Sequence, residues 1–119
     1  MKKEDISISE MKKMQLELFQ LHKDEWGNDM HPEAAINHML YMIEEIGESI
    51  SIIKKKGINE IMTNPIIRKN FITEMTYVAR YYIEVLNRLN ITTEEYTYCY
   101  RKKHQDCINI NYKEKWKKD

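Results

Sequence analysis

The sequence predicts an all-α chain built from four main helices. Apolar residues recur at helical spacing through every long segment, and no alternation of apolar and polar residues supports a strand. Only 3 glycines and 2 prolines are present, too few for a loop-rich or all-β chain. Helix-start signals fall at Ser7, Asn64 and Thr92, which divides the chain into helix-sized pieces.

Ser7 and Glu10 have the spacing of a capping box and open a first helix that runs to about Lys23. Met11, Met14, Leu18 and Leu21 make its apolar stripe, and Leu16 falls off that stripe, hinting at a second packing surface. Gly27 and Pro32 break the pattern, and Pro32 suits the first turn of a second helix that ends at Gly57. Its expected core face is Ala35, Met39, Met42, Ile46, Ser49 and Ile53. Residues 57–64 read as a connector with one helical turn around Ile58 to Met62. Asn64-Pro65 then caps a third helix running to about Asn90. Thr92 with Glu95 is a second capping box and opens a fourth helix that reaches at least Asp106.

At 119 residues the chain is expected to form one domain, residues 1–112, followed by a lysine-rich solvated tail, 113–119. Its 19 basic and 19 acidic side chains cancel, which removes the electrostatic reason to expect nucleic acid or an anionic membrane as partner. Apolar stretches are broken by Glu or Lys before membrane-spanning length, and the charged N-terminus is not followed by the apolar core of a signal peptide. Cys99 and Cys107 lie eight positions apart on one expected helix, about 12 Å of rise, too far for a bridge. Reduced thiols and a cytoplasmic location are therefore expected. Long amphipathic helices on a small domain, with 8 methionines and the off-stripe Leu16, lead us to expect a homo-oligomer.

The residues that carry chemistry are carboxylates placed where a helix should be apolar. Glu74 interrupts the series Ile67, Phe71, Glu74, Val78, Tyr81, Val85, and Glu45 and Glu48 share a stripe with Tyr41 and Ile52. A carboxylate facing a helix seam is costly unless a cation or a donor network compensates it. Two such helices side by side would make an acidic pocket suited to a hard cation such as Mg²⁺. Lysines or partner hydrogen bonds are the other way to neutralise the same groups.

Met42-Ile43-Glu44-Glu45-Ile46-Gly47-Glu48, followed on the next long helix by Glu74-Met75-Thr76-Tyr77, resembles the two metal motifs of the MazG-type all-α nucleoside triphosphate pyrophosphohydrolases. Ile91 to Glu95 is similar to that family's usual start of the fourth helix, and Lys102-Lys103-His104 to its later basic segment. The resemblance covers about His31 to Ile110 and implies a MazG-like helical bundle, completed as a homodimer or higher oligomer. It implies hydrolysis of a nucleoside triphosphate to the monophosphate and pyrophosphate with Mg²⁺, or Mn²⁺ in its place. By the same resemblance Glu45, Glu48 and Glu74 hold metal, and Glu44 holds a second ion or acts as base for the attacking water. Trp26 is placed near the nucleotide base, and Lys102 and Lys103 near phosphate.

The chain departs from the family pattern in three places. Tyr77 stands where the second motif has an aspartate, and an ungapped alignment puts Cys107 and Ile110 where relatives carry an asparagine and an arginine. A two-residue insertion would restore Asn109 to the asparagine place but would put Tyr112 in that of the arginine. Loss of a hard anionic ligand weakens a Mg²⁺ site, and loss of an arginine removes a bidentate phosphate clamp. The alternative reading is thus a catalytically degenerate relative that binds a nucleotide or a protein partner. Read without the resemblance, Trp26 is a packing residue and Lys102 and Lys103 are a solvated face.

Overall fold

The computed structural model describes residues 4–26 and 30–115. Among them every regular element is helical. The helices are α1 (Ile8–Trp26), α2 (Ala35–Lys56), α3 (Ile58–Thr63), α4 (Pro65–Arg88), α5 (Thr93–Asn109) and α6 (Tyr112–Lys115), with a 3₁₀ turn, Pro32–Ala34, leading into α2. The four long helices are the four expected from spacing. The connector turn is α3, and the tail expected to be solvated begins with the single turn α6. None of the described helices is long and apolar enough to cross a membrane.

The caps sit where the sequence puts them. Ser7 Oγ accepts from the Glu10 amide at 3.1 Å, Asn64 Oδ1 accepts from the amides of Ile66 and Ile67, and Thr92 and Glu95 close a reciprocal box. Gly57 ends α2 at φ +89°, a conformation costly for any residue with a Cβ. Asn90 serves the same purpose after α4 at φ 53°, and the Ile91 amide returns to the Leu86 carbonyl at 2.9 Å. The second helix begins three residues later than the proline suggests, because Pro32 starts the 3₁₀ turn instead.

α2 and α4 form the central pair, α1 packs on α4, and α3 folds back against both members of the pair. Phe19, Ala35, Ile61, Ile83 and Leu86 are the buried apolar residues, one or two from each of these helices. Two inner faces are rotated from those expected. On α1, Phe19 is buried and Gln15 and Leu18 half-buried, while Met14 and Leu21 are exposed and line an apolar groove of about 530 Å³ with Ala79 and Ile83 of α4. On α2, Ala35, Met42, Ser49 and Ile53 do face inward, but Met39 and Ile46 are exposed and His38 and Glu45 take the inner places.

α5 contributes no buried residue. It is tied to the rest by Lys12 Nζ donating to the Ile91 carbonyl at 2.7 Å, just before the helix, and by a 2.9 Å hydrogen bond from the Tyr82 hydroxyl to that of Tyr96. Cys99 and Cys107 on this helix are free thiols.

Candidate functional site

The inner face of α2 repeats at alternating steps of three and four, through Ala35, His38, Met42, Glu45 and Ser49. That spacing forms a continuous seam against a neighbouring helix. The opposing seam on α4 is the series read from the sequence, Ile67, Phe71, Glu74, Val78, Tyr81 and Val85, and all six side chains are half-buried. Glu45 and Glu74 therefore meet across the pair. Their carboxyl groups come close enough for a proton between them to be favoured, and this is the first cause pushing the Glu45 carboxyl up to about 7. Partial burial and the negative charges of Glu74, Glu48 and Glu44 push it further in the same direction. Two carboxyls can share a hydrogen bond only when a proton lies between them, which is the physical reason the Glu45 carboxyl is raised.

Beside this pair lies a cavity of about 510 Å³ walled by Tyr41, Tyr77, Tyr81 and His38, with Arg80 and Arg88 also in its lining. Tyr41 lies one turn before Glu45, and Tyr77 three residues after Glu74, so the cavity and the carboxyl pair share a wall. The rings of Tyr41 and Tyr81 are 5.6 Å apart, and His38 meets Tyr41 edge-on at 5.5 Å. Burial and then the charge of Glu45 push the Tyr81 phenol up, keeping it a hydrogen-bond donor. Burial, followed by the charge of Arg88, pushes His38 down and favours the neutral imidazole. Its Nδ1 is buried without a hydrogen-bond partner.

At the other end of the cavity Glu84 and Arg88 form an ion pair, Nε to Oε2 at 2.8 Å, with the residues only 2 % and 5 % exposed. Gln15 of α1 donates to the remaining oxygen of Glu84 at 2.9 Å, and Arg88 lies 5.6 Å above the Phe19 ring. Arg88 also donates to the His31 carbonyl at 3.4 Å. This network explains the rotation of α1, since Gln15 and Phe19 turn inward to reach Glu84 and Arg88. Sequence reading missed it. The signal was the i,i+4 spacing of Glu84 and Arg88, which is shared with many solvated pairs.

Of the carboxylates singled out in the sequence, the structure brings Glu45 and Glu74 together and leaves Glu44 and Glu48 exposed on α2. Among the described residues no group of three or more His, Cys, Asp or Glu side chains is placed to hold a metal ion. Two carboxylates are nevertheless a donor set that Mg²⁺ accepts when phosphates and waters complete its shell. The pair thus suits a cation that arrives with a phosphate ligand rather than one caged by protein alone. Tyr77 turns its ring to the cavity, with the Arg80 guanidinium 6.0 Å from the ring centre. Lys102 and Lys103 lie exposed on α5 and do not line this cavity, and Lys102 donates instead to Asp106 at 2.6 Å. Trp26 ends α1 rather than lying in the following loop, and its side chain is outside the described part of the structure. Compared with protein-family models, curated proteins and solved structures, the chain gives no match.

Proposed function

We propose that the chain is a nucleoside triphosphate pyrophosphohydrolase that works as a homodimer or higher homo-oligomer. The observation that carries this reading is the carboxyl pair beside a tyrosine-walled cavity of about 510 Å³, a volume in the range of small-molecule sites. The base stacks among Tyr41, Tyr77 and Tyr81, and the triphosphate runs toward Glu45 and Glu74. Arg80, at the cavity wall, neutralises phosphate charge. Glu45 and Glu74 would hold Mg²⁺ or Mn²⁺ together with the phosphates, with the negative charge of Glu48 nearby, and the ion would supply charge neutralisation at the phosphates. Glu45, raised by its acidic neighbours, would release any proton it carries to solvent as the substrate and its cation enter. Glu44, one position away and exposed to solvent, orients and deprotonates the attacking water.

Tyr77 favours a second reading, in which the same cavity binds a nucleotide without cleaving it. It removes a carboxylate from the cavity wall and puts a ring there. Pyrophosphate release from a panel of ribo- and deoxyribonucleoside triphosphates, with Mg²⁺ and with Mn²⁺, separates the two. Turnover by the native chain that disappears in Glu74→Gln is the expected result. Silence from the native chain with turnover in Tyr77→Asp would establish the binding-only reading, and silence from both would overturn hydrolysis altogether.

A further inference from the structure

Glu84 fixes the polarity of the two side chains bonded to it. Gln15 can bond a carboxylate only through its NH₂ group, so the 2.9 Å bond to Glu84 sets the amide the right way round. Its carbonyl oxygen is left as an acceptor, without a partner among the described residues. Arg88 is a permanent donor, and its Nε–H is taken by the second Glu84 oxygen at 2.8 Å. Its other hydrogen bond runs from Nη1 to the His31 carbonyl at 3.4 Å, which leaves Nη2 without a partner among the described residues. Both side chains line the tyrosine-walled cavity. Held by one carboxylate, they set an acceptor and a donor side by side at the cavity end away from Glu45 and Glu74. Asn37 and His38 also line the cavity, but each can present a donor or an acceptor, so neither fixes a polarity.

We propose that Gln15 and Arg88 select nucleotides whose base carries a lactam at its far edge, a C=O beside an N–H, as in uracil, thymine, hypoxanthine and guanine. This rests on the nucleotide reading of the cavity, whether or not the nucleotide is cleaved. The atoms of a base farthest from its sugar are the group at C4 of a pyrimidine or C6 of a purine, and the ring nitrogen beside it. Glu84 stands ten residues after Glu74, about 15 Å along α4, a span on the scale of a nucleoside with its first phosphate. With the phosphates at Glu45 and Glu74, the far edge therefore meets Arg88 and Gln15. Arg88 donates to the C=O, and the Gln15 carbonyl accepts from the N–H. Cytosine and adenine present the reverse in the same pose, an amino group beside an unprotonated ring nitrogen. Arg88 has no acceptor to offer, and Gln15 cannot turn its amide over without setting its carbonyl against the Glu84 carboxylate. To match, an amino base must turn over and slide sideways between the tyrosines that hold it. Arg88 is buried, so little water reaches it to relieve the mismatch.

Substrate pairs that differ only at this edge test it: inosine against adenosine triphosphate, and dUTP against dCTP, on the full chain with Mg²⁺. kcat/KM is compared where the chain turns the nucleotide over, and Kd by calorimetry where it binds without cleavage. The native chain should favour the lactam member of each pair by roughly 10- to 100-fold. Gln15→Met keeps the Glu84–Arg88 pair and removes the acceptor, and the preference should fall severalfold. Glu84→Leu with Arg88→Met removes the donor and should bring the two members of each pair level. Should that double variant fail to fold, Gln15→Met alone decides. Equal constants in the native chain, or a preference for the amino member, would overturn this inference and leave the nucleotide reading standing. A lactam preference that Gln15→Met leaves untouched would overturn its assignment to these side chains. Neither turnover nor binding of any of the four would overturn the nucleotide reading and this inference with it.

Discussion

Two glutamates ten residues apart on α4 live in opposite surroundings. Glu84 is almost fully buried, and both of its oxygens are taken, one by the Arg88 guanidinium and the other by the Gln15 amide. Glu74 is half-exposed, and its partner is another acid, Glu45. The buried carboxylate is matched by permanent donors, so it serves to join α1 to α4. The other faces a second acid, so a proton or a cation between the two carboxyls would relieve their repulsion. The less buried of the two pairs is the one that joins acid to acid, and its Glu45 carboxyl is pushed up to about 7.

Removing the cation from the buried pair should produce the largest effect. Arg88→Ala leaves the buried Glu84 carboxyl without its main partner, and should cost about 3–5 kcal/mol in urea unfolding. Replacing both members with apolar residues, as in Glu84→Leu with Arg88→Met, should cost much less than the two single changes added together. Additive losses would mean that the two side chains do not act as a pair.

The acid pair should respond to pH in the opposite sense to an ordinary carboxylate. Glu45 is raised to about 7 in the folded chain, from an ordinary carboxylate value near 4.5. Between these values the folded state binds the extra proton, so its contribution is complete below about pH 4.5 and is lost as pH rises through 7. Thermal melts without divalent cation should therefore fall in midpoint from pH 5 to pH 8. Glu45→Gln should flatten that fall, as should Mg²⁺ with a nucleoside triphosphate at pH 8. A midpoint independent of pH across this range would remove the shared proton from the comparison.

The smallest effect belongs to a bond outside both pairs. Tyr82→Phe removes the hydroxyl that reaches Tyr96 and should cost about 0.5–1.5 kcal/mol. Pyrophosphate release should remain at the native level, since neither tyrosine lines the cavity beside Glu45 and Glu74.

The long helices and their caps were legible because the relevant signals are local. Ser7, Asn64 and Thr92 act within three residues of themselves, and the α4 seam could be read by counting apolar positions with Glu74 as the exception. Helix rotation was not legible. Counting apolar residues favoured Met14 and Leu21 on α1 and Met39 and Ile46 on α2, whereas the inner places went to Gln15, His38 and Glu45. Those polar residues have inner faces only because of what stands on another helix. For Gln15 that partner is 69 positions away in the chain, beyond any spacing rule. Glu45 was found because its departure from the apolar pattern was matched by a second one at Glu74.

The polar ties that fasten α1 have a consequence for the order in which the fold assembles. Gln15 reaches Glu84, Asn87 reaches the Lys12 carbonyl and Lys12 reaches the Ile91 carbonyl, spanning 69, 75 and 79 positions. α2, α3 and α4 follow one another directly and meet through short connections. Closing the long loop costs more chain entropy than folding this consecutive trio. α1 should therefore dock late onto the α2–α4 hairpin, and its amides should exchange with solvent sooner than those of the α2–α4 seam, which native-state hydrogen exchange would read. The groove it leaves against α4, where Met14 and Leu21 stand exposed, would then open ahead of the α2–α4 seam.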